Sequence, residues 1–319
     1  MPVDHPNQAD DPDDPGHCRQ PDDPQAADAA PPAPLDQAHR ATVHRANRAQ
    51  VEHEYAAYQE SARAPRGGAA GADANRGSWD EALPSLRAAW QEHQDRYPEP
   101  QRATPRTHTD GSWSSGESRR LTPEQNTEAT KACADIHDEG ERVILPAMRQ
   151  IESADPTRVL AGLEHRLKGE DRLKEKIADA LRSRPGLTAA QALSIVPDPV
   201  RFTFTYSPNR YADGVVAEVE RLKEIGLEEV KLKNLWSDEQ YKGINSQWRS
   251  PETGLRIEVQ FHTPASLEAK ELTHKAYERI RNTDTSATER DELEAFQRRV
   301  SALLDTPPGI TEIRDFPER

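Results

Sequence analysis

The sequence predicts a fold of the α+β or mixed α/β class, on three observations. Residues 200–206 and 255–262 alternate apolar and polar side chains with the period of a strand. Residues 121–183 carry apolar residues at helical spacing, and further helices lie between and after the strands. The composition is uneven: all ten lysines follow residue 120, and nine of the seventeen aromatics fall between Phe202 and Tyr277. In a chain of 319 residues that is 34% hydrophobic and carries a net charge of −14, this places order and chemistry in the C-terminal two-thirds.

The elements follow in order. Residues 1–34 hold eight Asp and nine Pro against one Arg and are expected to be disordered, because like charge and few apolar groups cannot offset the entropy of ordering. A solvated helix is expected over 36–62, whose His39, His44 and His53 have no ligand-like partners, followed by a Gly/Ala/Pro linker at 64–77. A short helix over 79–97 places Trp79, Leu83, Leu86 and Trp90 on one side, and 98–120 read as linker again. Residues 35–120 thus form helical segments and linkers, an interaction or delivery arm, and 121–319 a folded domain. Thr122-Pro123-Glu124-Gln125 is a helix start, with a hydroxyl cap and proline at the first helical position; the helix runs to about Ile151 with Pro146 bending it. A second helix is expected from Thr157 to Leu167 on the spacing of Leu160, Leu163 and Leu167, and a third from Asp171 to Ser183. Val200–Tyr206 is a strand, 213–225 a helix stopped by Gly226, and 228–234 a strand. In the strand 255–262, Leu255, Ile257, Val259 and Phe261 face one way; Arg256, Glu258, Gln260 and His262 face the other, toward solvent. A helix over 266–281 closes the series.

Composition excludes several classes. No apolar run approaches ~18 residues, so no membrane-spanning helix is expected. The first residues lack the basic and apolar regions of a Sec signal peptide, which leaves cytoplasmic residence or export by a signal-independent route. Cys18 and Cys133 make neither a disulfide framework nor a zinc site. His137-Asp138 lacks the further histidines of a metal-hydrolase site. No GxxxxGK[ST] loop or GxGxxG fingerprint occurs.

The polar groups of these strands are compatible with polyphosphate chemistry and also with an ordinary solvated sheet face. Asp198, boxed by Pro197 and Pro199 ahead of one strand, and Glu258 on another are two acids of the kind that hold Mg²⁺ beside phosphates. Arg166, Lys168, Arg172, Lys176 and Arg201 suit a triphosphate, and with Glu170, Asp171 and Glu175 interspersed they also fit a solvated charged helix face. Tyr241, just before Gly243, is either a core tyrosine or, on an exposed loop, a ring able to stack on a flat base.

The order of these pieces resembles the synthetase domain of the RelA/SpoT family, the alarmone synthetases. Arg166-Leu-Lys168 followed by Lys176 resembles that family's R-x-K-x7-K element, Asp198-Pro-Val-Arg201-Phe-Thr its D-x-x-R-(Y/F)-T strand, Tyr241-Lys-Gly-Ile-Asn245 its Y-x-(S/G)-(I/L/V)-(H/N) loop, and Glu258-Val-Gln260-Phe-His262-Thr263 its E-(V/I/L)-Q-(I/F)-(R/H)-T signature. Downstream, Lys270, His274 and Tyr277-Glu278 also fit. Asn-Leu-Trp before the loop, Asn245 and the Q-F-H-T version of the signature resemble the short actinobacterial and toxin-type members, the ATP:nucleotide 3′-pyrophosphokinases. The resemblance implies an α+β, nucleotidyltransferase-like synthetase fold, with a mixed sheet of about five strands flanked by helices. It implies a transferase that moves the β,γ-pyrophosphate of ATP to the 3′-hydroxyl of a purine nucleotide, giving (p)ppGpp- or (p)ppApp-type alarmones and AMP, acting as a housekeeping enzyme, toxin or secreted effector. Asp198 and Glu258 are then catalytic and hold Mg²⁺; Arg166, Lys168, Lys176 and Arg201 bind the ATP phosphates; Tyr241, Lys233, Asn234, Asn245, Gln260 and His262 bind the acceptor. A toxin would bring an antitoxin or immunity protein as partner. The alternatives are a toxin that pyrophosphorylates the tRNA 3′ end, disfavoured because residues 121–319 are net negative, and a non-catalytic nucleotide-binding module.

Overall fold

A computed structural model describes residues 79–99 and 103–317. The expectations for 1–34, for the helix over 36–62, for the linker at 64–77 and for Cys18 lie outside these residues.

Helix α1 (Trp79–Arg96) buries Trp79 and Leu86 of the expected stripe. Residues 98–120 are not a linker throughout. Strands β1 (Arg106–Thr107), β2 (Trp113–Ser115) and β3 (Arg119–Leu121) pair antiparallel in a small sheet. Asp110 turns the first hairpin by accepting from the Ser112 amide at 2.9 Å. Trp113 is buried with Leu121, Leu173 and Ile177, and its indole N–H donates to Asp171. Polar composition hid these strands, because Trp113 and Leu121 are their only buried apolar side chains. The globular part therefore takes in residues ahead of 121.

Helix α2 (Pro123–Glu139) begins as its sequence predicts: Thr122 accepts from the Gln125 amide and the Gln125 side chain returns the bond. A π turn at Gly140–Ile144 joins α2 to α3 (Leu145–Ser153) with helical backbone throughout, and Pro146, which has no N–H to give, directly follows the irregular turn. The expected helix at 157–167 is instead strand β4 (Arg158–Ala161) and a 3₁₀ turn (Leu163–His165). Gly162, at φ 61°, separates the two in a conformation that L side chains resist. Helix α4 (Glu170–Ser183), helix α5 (Ala189–Ser194), strand β5 (Val200–Tyr206) and helix α6 (Tyr211–Glu224) follow. Strand β6 (Glu228–Asn234) precedes β7 (Ile244–Arg249), which the sequence reading did not identify, and β8 (Arg256–His262). Helices α7 (Pro264–Ile280) and α8 (Ala287–Ser301) complete the order.

The main sheet has the order β4-β5-β8-β7-β6, with β5 and β8 parallel and the other neighbours antiparallel. This is the mixed five-stranded sheet flanked by helices that was expected. One face is apolar: Val200, Phe202, Phe204, Ile257, Val259, Phe261, Ile244, Trp248 and Leu232 are buried with Met148 and Ile151 of α3 and Val215 and Leu222 of α6. Each large side chain removed from water here contributes about 1.5–3 kcal/mol. Alternation sends every second residue to the other face, where the cross-strand rows Arg201–Glu258–Gln247–Lys231 and Thr203–Gln260–Asn245–Lys233 form. Helix α7 returns across part of that face, started by Thr263, which caps it on the Ser266 amide. Among the described residues no helix is long and apolar enough to cross a membrane.

Candidate active site

The parallel pairing of β5 with β8 sets Arg201 directly opposite Glu258. Arg201 Nε lies 2.5 Å from Glu258 Oε2, and its Nη2 lies 3.0 Å from Asp198 Oδ2. Lys168 Nζ takes the same Asp198 oxygen at 2.7 Å. Two acids sixty residues apart in the sequence thus meet through one guanidinium. The loop ahead of α4 delivers Lys168: its amide donates to the Pro199 carbonyl, and its own carbonyl is bonded by His137 Nε2 at 2.9 Å. His137, dismissed as a metal ligand, supports the site through that backbone. Only Pro199 separates Asp198 from the start of β5.

Burial opposes charge on Asp198, yet the Lys168 bond and charge, with Arg201 and Lys176, outweigh it and hold the carboxyl below its ordinary range. Burial likewise opposes charge on Arg201, but Glu258 and Asp198 keep its pKa above the usual value. Both groups are therefore ionised, and the cluster is a compact array of charge. Asp198 Oδ1 is buried and has no hydrogen-bond partner. An orphan carboxylate oxygen, with a second carboxylate on the same guanidinium, is a fitting donor for Mg²⁺, which takes one or two protein carboxylates and completes its shell with waters and substrate phosphates. Among the described residues no group of three or more His, Cys, Asp or Glu is arranged around a metal position.

The other expected residues divide. Lys176 is exposed on α4, where its charge reaches Asp198. Arg166 is engaged elsewhere: Nη1 donates to the Leu163 carbonyl at 2.6 Å and Nη2 pairs with Glu141, while Nε is buried without a partner. Asn245 and Lys233 sit side by side on the polar face. Asn234 does not: it pairs with Ile244, on the apolar side of the sheet. Its amide nitrogen donates to the Ile310 and Ile313 carbonyls, and its oxygen accepts from the Trp236 amide. Asn234 holds the C-terminal segment along the β6 edge and is withdrawn as an acceptor-binding residue. Gln247 and Lys231, in the row with Glu258, were missed, because without β7 nothing in the sequence set them beside the acid.

Gln260 and His262 do not face solvent, as the alternation alone suggested; both are buried under α7 and the Tyr241 loop. Tyr241 donates to Asn245 Oδ1 at 2.8 Å and meets His262 Nε2 at 2.9 Å, and His262 Nδ1 meets Ser266 Oγ at 2.9 Å. Burial and then Lys270 hold the imidazole pKa far below its ordinary value, so His262 is neutral and acts through these bonds. Tyr241's hydroxyl is spent on the protein, which fixes the half-buried ring. Gly243 makes this approach feasible, since a Cβ there would lie 2.7 Å from His262 Cε1. Gly243→Ala is expected to displace His262 and loosen Tyr241. Loss of the Tyr241–His262 proximity by NMR, with the fold retained, is the check; an unmoved His262 ring signal contradicts it.

Along α7, Lys270, His274 and Glu278 recur one turn apart and form the wall over this floor. Lys270 Nζ donates to Gln260 Oε1 at 2.7 Å. Arg172 of α4 reaches Glu278 at 3.2 Å, linking the two walls. The chemistry available is the binding of an oxyanion-rich substrate by the cations Lys168, Arg201, Lys176 and Lys270, over two carboxylates, with a flat aromatic alongside.

No protein-family model and no curated protein matches the chain. Among solved structures, the chain is similar to small alarmone synthetase 1 from Bacillus subtilis bound to its product pppGpp, at 11% identity and a TM-score of 0.39, covering 56% of this chain and 93% of that one. It is similar to a GTP pyrophosphokinase family protein from Streptococcus pneumoniae at 16% identity and a TM-score of 0.39, covering 61% and 94%. It is also similar to small alarmone synthetase 2 from Bacillus subtilis at 17% identity and a TM-score of 0.35, covering 56% and 94%. At this level of similarity the functional reading stands on the motifs and on the geometry above.

Proposed function

We propose that the protein is a Mg²⁺-dependent transferase that moves the β,γ-pyrophosphate of ATP to the 3′-hydroxyl of a purine nucleotide and releases AMP. The observation that carries this reading is the meeting of Asp198 and Glu258 at Arg201 beside Lys168, with one Asp198 oxygen left over. In the reaction the 3′-oxygen forms a bond to the β-phosphorus, the bond from that phosphorus to the α–β bridging oxygen breaks, and AMP leaves with the electron pair. Such a transfer asks for positioning and charge neutralisation more than covalent work. Asp198 and Glu258 would hold Mg²⁺, which would supply Lewis-acid neutralisation of phosphate charge. Lys168, Lys176 and Arg201 hold the donor phosphates and stabilise negative charge as it shifts. Arg166 joins them on release from Glu141. Glu258, beside the acceptor residues on β8, receives the hydroxyl proton. Tyr241 is the platform for the acceptor base, with Asn245, Lys233, Gln260 and His262 around it. The toxin-type reading of the motifs involves the same chemistry.

The test is thin-layer chromatography of products from labelled ATP and Mg²⁺ with GTP, GDP, ATP, ADP, AMP or tRNA as acceptor. AMP and a 3′-pyrophosphorylated nucleotide are expected. Label transferred to tRNA alone would move the reading to an RNA-modifying enzyme, and absence of AMP with every acceptor would leave a nucleotide-binding module. Tyr241→Ala is expected to weaken acceptor use about 5–150-fold, the worth of one base stack. The check is the acceptor KM against the ATP KM; a change confined to ATP contradicts the assignment.

A further inference from the structure

One side chain on the α7 wall has no part in the transfer described above. Lys270 is half-buried, and its single hydrogen bond goes to Gln260 Oε1. An ammonium has three N–H donors and no acceptor, so two remain unspent, and no ion pair engages Lys270 among the described contacts. Burial lowers its pKa first, Arg201 lowers it further, and Glu258 and Glu271 only partly compensate, leaving it at about 8. Glu258 cannot do more, because Arg201 holds it at 2.5 Å. Lys270 is thus a cation short of negative charge.

Its bond also fixes Gln260. Lys270 can only donate, so the Gln260 oxygen faces the ammonium and the Nε2 donors face away, with no protein partner among the described bonds. Gln260 is the next residue after Glu258 on the polar face of β8, opposite Thr203 on one side and Asn245 on the other. Asp198 and Lys168 lie toward the start of the parallel strands, Glu258 next, and Gln260 with Lys270 beyond it. The result sets the Lys270 ammonium and the Gln260 amide donors together, on the far side of Glu258 from the Lys168–Asp198 pair.

We propose that Lys270, with Gln260 Nε2, is a substrate-binding pair that holds a phosphate oxygen next to Glu258. This deepens the transferase reading and rests on it for the nucleotide, though not for the anion. The oxygen comes either from the acceptor's 5′-phosphates or from the pyrophosphoryl group in transfer.

The experiment is calorimetric titration of the full chain at pH 7, where Lys270 is charged, with inorganic tripolyphosphate and Mg²⁺. Lys270→Met is expected to weaken binding about 10- to 100-fold, the range for a lost charge-assisted bond, and Lys270→Arg to retain most of it. Should Lys270→Met not fold, Lys270→Gln carries the same test. Parental affinity in a folded neutral variant overturns the proposal, as does equal loss in the arginine variant. Kinetics then separate the sources. A higher acceptor KM confined to nucleoside di- and triphosphates assigns the acceptor's phosphates; a lower kcat with every acceptor, AMP included, assigns the transferred group. A parent that never releases AMP, while Lys270→Met loses tripolyphosphate, refutes the transferase and keeps the anion site. An active parent with unchanged tripolyphosphate binding in Lys270→Met does the reverse.

Discussion

Glu258→Gln is expected to lower pyrophosphate transfer by about 100- to 1,000-fold or more, with the fold intact. Glutamine keeps the size of the side chain and an oxygen for Arg201 Nε, so the β5–β8 register has no reason to change. Arg201 keeps a charged partner in Asp198, 3.0 Å from Nη2. What disappears is one of two negative charges beside Arg201, and with it a Mg²⁺ ligand and the hydroxyl's proton acceptor. Groups that act on developing charge each supply several kcal/mol in a water-poor site. The measurement is AMP release at saturating ATP and acceptor, alongside thermal melting and nucleotide binding. A folded variant turning over within about tenfold of the parent, a difference of only ~1.4 kcal/mol, would remove Glu258 from the mechanism.

How much of this was legible depends on how local each signal is. The floor of the site was legible because a strand alternates: once Val200–Tyr206 and 255–262 are strands, Arg201, Glu258, Gln260 and His262 must share parity with their own neighbours. Pairing is not local, and the sequence could not tell which strands lie side by side. That decides whether His262 faces water or the underside of Tyr241. Strand β7 was hidden because its inward residues are Ile244, Ser246 and Trp248: a buried serine, donating to the Val259 carbonyl, breaks the apolar half of the pattern. With β7 missing, Gln247 and Lys231 had no row to belong to. Asn234 shows the converse error, a polar residue assigned to the polar site although parity with Lys233 puts it on the other side. Lys270 was noticed only as part of a motif; its meaning came from the helix crossing that brings it to Gln260.

Strand β4 was misread for a different reason, and that reason makes a prediction. Leu160, Leu163 and Leu167 have helical spacing, but Arg158 commits the segment to the sheet. Arg158 and Glu218 are both fully buried and ion-paired, Arg158 Nη2 also pairs with Asp155 at 3.2 Å, and Tyr206 donates to Glu218 at 3.0 Å. Arg158 stands opposite Tyr206 in the β4–β5 register, so the cluster ties the sheet edge to α6. Burial pushes the Glu218 carboxyl above its ordinary range, and Arg158 is the main opposing influence. Removing one partner strands the other charge in the interior, which costs about 3–5 kcal/mol. Arg158→Ala and Glu218→Ala are each expected to lower Tm by about 6–20 °C, at roughly 2–4 °C per kcal/mol for a domain of this size. Replacing both together, Arg158→Met with Glu218→Leu, is expected to recover most of the loss, because the desolvation cost of the pair leaves along with its attraction. Calorimetric melting of the two single variants and the double variant tests this. A double variant as unstable as the sum of its parts would mean that packing around the pair, rather than its charge, holds β4 in place. Since Tyr206 lies on the apolar side of β5, the folded fraction of each variant is expected to keep parental turnover.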